Sequence, residues 1–82
     1  NMADYATAST YYKKALQLRE KQGNRAEVAE VYNYLAVNDY LSGNNLKALE
    51  AAEEALALAK PIDSKQVLQE TYKILSDINQ RI

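Results

Sequence analysis

Gly23, Gly43 and Pro61 are the strongest chain breakers in this 82-residue sequence, and they cut it into four segments of similar length. Each segment is rich in Ala, Leu, Glu, Lys and Gln, which lose little side-chain freedom in a helix. Four helices are therefore predicted, over residues 3–22, 25–42, 45–60 and 64–81. The boundary residues agree. Asn24 followed by Glu27 forms a capping-box pattern ahead of the second helix. Ser64, after Pro61 and Asp63, is the predicted N-cap of the fourth. Gly43 suits the left-handed conformation that ends the second helix, and Asn44 tolerates it. Val28, Val31, Tyr32 and Leu35 place an apolar stripe on one face of the second helix. Leu68, Thr71, Tyr72, Leu75, Ile78 and Ile82 do the same on the fourth. No alternating, strand-like stretch of useful length competes.

Several function classes are disfavoured by what the chain lacks. It has no cysteine, hence no disulfide and no thiolate metal site, and no histidine, the commonest general base and metal ligand. Its net charge is −1 without a basic cluster, so the electrostatic footprint of a nucleic-acid binder is missing. No apolar run is long enough to cross a bilayer, and no signal-peptide pattern opens the sequence. A chain in a reducing, cytoplasmic compartment is the expectation, with no cofactor, no metal, no nucleic-acid or membrane partner and no catalysis. Lys13-Lys14 and Glu53-Glu54 read as solvated faces. The two glutamates are adjacent on one helix with no cleft around them, so acid–base chemistry is not expected of them.

The sequence repeats itself with a period of 40 residues: Ala8, Ala15, Leu16 and Leu18 match Ala48, Ala55, Leu56 and Leu58, and Glu30, Tyr32 and Leu35 match Glu70, Tyr72 and Leu75. The matched positions are mostly small or apolar, as a packing repeat requires. Tyr32, Leu35-Ala36, Asp39, Gly43, Ala48, Ala52, Ala55 and Pro61 follow one another in an order that resembles the tetratricopeptide repeat. Tyr72, Leu75, Ser76 and Asn79 begin a second copy, and Asp4, Tyr5, Ala8, Tyr12 and Ala15 end an earlier one. The usual period is about 34 residues, and the longer one here resembles variants in bacterial signalling and regulatory proteins. Asp39 and Asn79 stand where the family has an aromatic, and Ala52 where it has Phe.

The resemblance implies an all-α fragment of antiparallel helix-turn-helix repeats in a right-handed solenoid, a single domain over residues 1–82. Residues 1–23 would be the second helix of a repeat, 24–63 one full repeat and 64–82 the first helix of another. Small residues belong where the helices approach most closely, so Ala36 is expected to face Ala48, Ala52 and Ala55 at the short end of the ~8–10 Å interaxial range.

The resemblance also implies a concave groove lined by the second and fourth helices, binding a peptide or partner segment within a larger bacterial regulatory or adaptor protein. The candidates are Glu30, Asn33, Tyr34, Val37, Tyr40 and Leu41 on the second helix, and Glu70, Lys73, Ile74, Asp77 and Arg81 on the fourth. Asn33 offers an amide donor and acceptor to a peptide backbone. Tyr34 and Tyr40 offer rigid apolar area with a polar tip. The Lys-Asn-Arg clamp with which some members grip a terminal carboxylate is not matched. Lys73 and Arg81 stand among Glu70 and Asp77 at spacings of three and four, which suits intrahelical ion pairs. Of the seven tyrosines, Tyr5, Tyr12, Tyr32 and Tyr72 fall at packing positions, and Tyr11, Tyr34 and Tyr40 at interface positions. Self-association is expected through the end helices, at Tyr5, Ala8, Tyr12, Leu75, Ser76, Ile78 and Ile82. Two alternatives remain: an assembly element with an empty groove, and a plain four-helix bundle.

Overall fold

The computed structural model describes residues 4–81, so the expectation for Ile82 lies outside the described residues. Four helices follow one another: α1 (Tyr5–Gln22), α2 (Arg25–Leu41), α3 (Asn45–Ala59) and α4 (Lys65–Arg81). No strand occurs among the described residues.

The helix ends obey local rules at a fixed interval. Asp4, Asn24 and Asn44 cap the first three helices, each side chain accepting from the backbone N–H three residues on, at 3.0, 3.1 and 3.2 Å. The left-handed residues sit just before the next cap: Gly23 at φ 74°, Gly43 at φ 88° and Asp63 at φ 49°. An added Cβ would meet nothing within 4 Å at either glycine. Glycine is needed there for its backbone freedom, not for space. Ser64 holds the corresponding place before α4, its carbonyl accepting from the Leu68 N–H at 2.9 Å. The capping box at Asn24 is half made: Glu27 instead turns its carboxylate to Arg19 Nε, 3.6 Å away on α1.

α2 is the centre of the molecule. It packs against α1, α3 and α4, whereas α1 packs on α2 alone and α3 joins α4. Burial follows: among the described residues α1 has none buried, and α2 has seven. The α2–α3 contact is built from alanine. Ala29 and Ala36 on α2, and Ala48, Ala52, Ala55 and Ala59 on α3, are all wholly inaccessible. Only a methyl separates the backbones at such positions, so the helices can approach closely. Ala36 and Ala48 share one apolar cluster with Leu35, Ala51 and Ala52 and with Ile74 and Ile78 of α4. A second, smaller cluster of Ala29, Ala59 and Val67 closes the other end.

Two expectations about apolar residues are corrected. Ile78 is fully buried in the main cluster, so it offers nothing to another molecule. Tyr72 is half exposed, at 50%, whereas its 40-residue counterpart Tyr32 packs partly buried against the core. The reason is topological, because Tyr32 lies on the α2 flank that α3 covers, and no described helix covers that flank of α4.

Replacing Ala48 with Leu should overpack the α2–α3 contact and cost about 1–3 kcal/mol. Urea unfolding measures this against Glu53→Leu on the exposed side of α3, expected to stay within about 0.5 kcal/mol of the parent.

Candidate functional site

The flank of α2 that its neighbours leave open carries Glu30, Tyr34, Val37 and Leu41, at helical steps of four, three and four. Tyr34, Val37 and Leu41 are 55%, 38% and 58% exposed, large apolar groups the core does not use. α4 lies alongside and runs in the same direction. Glu30, Asn33 and Tyr34 share a depression with Gln66, Val67 and Glu70, and further along Val37, Tyr40 and Leu41 share another with Ile74 and Asp77. The two depressions form a furrow between α2 and α4, each of about 170 Å³. That is below the ~300–1,000 Å³ of a drug-sized ligand site and suits single side chains.

The side chains below the furrow are fixed by polar bonds. Asn33 is 3% exposed, and both polar atoms of its amide are used in holding α4. Its Nδ2 donates to the Val67 carbonyl at 3.4 Å, and its Oδ1 lies 2.8 Å from the Thr71 hydroxyl. Thr71 is also 2.8 Å from the Val67 carbonyl and shares its single proton between the two acceptors. Asn33 is therefore a structural tether at the furrow floor rather than a group presented to a peptide backbone. Two similar bonds leave α2 in other directions: Arg25 Nε donates to the Leu58 carbonyl of α3 at 2.9 Å, and Asn38 Nδ2 to the Tyr5 carbonyl of α1 at 3.0 Å.

Aromatic contacts fix the furrow's edges. Tyr34 stacks on Tyr12 of α1 at 5.8 Å between ring centroids, and Tyr11 meets Tyr12 edge-on at 5.8 Å. Tyr12 is thus engaged on α2, while Tyr11 stays 68% exposed. At the other end the Arg81 guanidinium lies 3.4 Å above the Tyr40 ring and donates to the Tyr40 carbonyl. This cation–π seat on α2 replaces the intrahelical pairing expected of Arg81. The pairing expected along Glu70, Lys73, Asp77 and Arg81 is absent, because the one ion pair among the described residues is Arg19–Glu27. Lys73 is exposed and lines neither depression, and Ile74 is mostly buried, showing only an edge to the furrow.

A second opening lies on the opposite side of α2, between α1 and α3. Its walls carry Ser9, Lys13, Lys47, Glu50 and Glu54, and Tyr32, Leu35 and Asp39 form the floor. Burial pushes the Asp39 carboxyl up from its usual value, with Lys47 and Lys13 pulling it back. Burial likewise raises the Tyr32 phenol, helped by Glu54 and Glu20. Charges of both signs surround this cleft, and no catalytic constellation is assembled there. No group of acidic, His or Cys side chains suited to a metal ion occurs among the described residues, and no described helix is long and apolar enough to cross a membrane.

Thr71→Val should leave the Asn33 oxygen buried without a donor and cost about 1–3 kcal/mol. Replacing both partners, Asn33→Leu with Thr71→Val, should cost less than the sum of the two single changes. A urea-unfolding double-mutant cycle checks both statements.

A family model described as tetratricopeptide repeat matches residues 1–60. No curated protein matches the chain, and no solved structure does.

Proposed function

This chain belongs to the tetratricopeptide repeat family, whose repeats mediate protein–protein contacts, and from that we propose that the furrow between α2 and α4 holds a segment of a partner polypeptide. The row of exposed Tyr34, Val37 and Leu41 carries this reading. The other three sides of α2 are covered; Val37 and Leu41 are left open on the fourth, and Tyr34 stays more than half exposed although it stacks on Tyr12. In this reading α2 and α3 form one repeat over residues 24–63, α1 is the second helix of the repeat before it, and α4 the first helix of the repeat after it. Side-by-side, same-direction packing of α2 and α4 supports that division, since first helices of successive repeats stack in that way. The period of 40, resembling that of bacterial signalling and regulatory proteins, supports placing the chain in a larger regulator or adaptor.

A fluorescence-polarisation screen of a peptide library tests the furrow. Peptides that bind should lose at least about tenfold in affinity on Val37→Ser with Leu41→Ser, the scale of losing two buried apolar contacts. The circular dichroism of the double variant should match the parent. Binding unaffected by that variant, or no binding peptide, would contradict the proposal.

A second reading rests on a separate observation. Leu68, Tyr72 and Leu75 stand in the 40-residue register of Val28, Tyr32 and Leu35, the α2 flank facing α3, and Tyr72 is half exposed. α1 is the counterpart of α3 in that register, and its Tyr11 and Leu18 are 68% and 54% exposed. We propose that α1 of a second copy seats on α4. Tyr72, Leu75, Tyr11 and Leu18 carry the contact, with half-buried Ala8 and Ala15 at the close approach. Sedimentation velocity should show mass rising with concentration in the parent but not in Tyr72→Glu. A parent whose mass stays constant across concentration would end this reading.

A further inference from the structure

The furrow is lined by three carboxylates, Glu30 and Glu70 at one end and Asp77 at the other, and by no lysine or arginine. None of the three has a basic partner within 4.0 Å among the described residues, where Arg19–Glu27 is the one ion pair. Arg81, four residues after Asp77 as Lys73 is four before it, is committed to the Tyr40 ring and carbonyl. Glu30 is half-buried and lines the depression beside Tyr34. Val37 and Leu41 make the Asp77 end of the furrow largely apolar.

We infer that the partner segment is cationic at one point and apolar at another: a Lys or Arg between Glu30 and Glu70, and an apolar side chain against Val37 and Leu41. This rests on the furrow being the binding face and adds the chemistry of what fills it. The spacing follows from helix geometry. The centres of the two depressions lie about seven residues apart along α2, which is roughly 10 Å at 1.5 Å per residue. Three steps of polyproline II chain at about 3.1 Å each cover nearly the same distance and bring the side chain back to the same face. The occupant is therefore a polyproline II-like stretch of a partner protein with its basic and apolar residues three positions apart. An acidic segment is repelled from the Glu30–Glu70 end of the furrow.

The probes are capped peptides with an Arg-Ser-Ser-Leu core and the reversed order, and versions in which citrulline or glutamate replaces the arginine. Titrations followed by amide chemical shifts locate each on the chain. The arginine peptide of one order should bind in the furrow about fivefold more tightly than the citrulline peptide, the scale of two partly solvated ion pairs. That preference should fade as salt rises from 50 to 500 mM. It should vanish in Glu30→Gln with Glu70→Gln, while citrulline-peptide binding stays unchanged. Equal binding of arginine, citrulline and glutamate peptides at Val37 and Leu41 would overturn the charge assignment and leave the furrow reading standing. Shifts outside the furrow, or none with any peptide, would overturn both.

Discussion

One helix must touch all the others, and the rest of the structure depends on how α2 does so. A chain of this size cannot surround a large core, and α2 solves the problem by close approach on one side and by polar tethers on three. Fully buried alanines bring its backbone against that of α3. Arg25, Asn33 and Asn38 each reach a backbone carbonyl on a different neighbour, α3, α4 and α1. A bond of this kind contributes only about 0.5–1.5 kcal/mol net, but leaving a buried amide unpaired costs more than that. The tethers therefore select one register for each contact more than they add to stability. With three flanks occupied, the remaining one is set by subtraction, and it is the flank that carries Tyr34, Val37 and Leu41.

Much of this was legible in the residues. The three breakers and the cap residues are local signals, and they placed every helix to within about two residues. The alanine positions were legible because a small residue recurring at helical spacing has few purposes other than close approach. Family membership was legible because the motif is itself a packing code. What stayed hidden depends on partners distant in the chain. Asn33 looks like a ligand-facing amide until Thr71, 38 residues on, is placed 2.8 Å away. Ile78 and Tyr72 belong to one apolar stripe on α4, and only the position of α2 and α3 separates the buried one from the exposed one. Arg81 sits four residues from Asp77 on the same helix, yet the Tyr40 ring offers a better seat than a solvated carboxylate.

Asp39 lies with Tyr32 and Leu35 on the floor of an open cleft between α1 and α3, two helices that make no contact with each other. The four helices are thus bound together through α2 alone on that side, and α1 packs on α2 only. The chain has one central element, α2, against which the other three helices are placed.

Native-state hydrogen exchange tests that account most directly. The amides of α2 between Ala29 and Ala36 should exchange only through global unfolding, with a denaturant dependence equal to that of the whole chain. The amides of α1, which has no buried residue, should open at a lower free energy and with a smaller denaturant dependence. α1 protected as long as α2, or α2 opening before its neighbours, would contradict the claim that the fold is organised around α2.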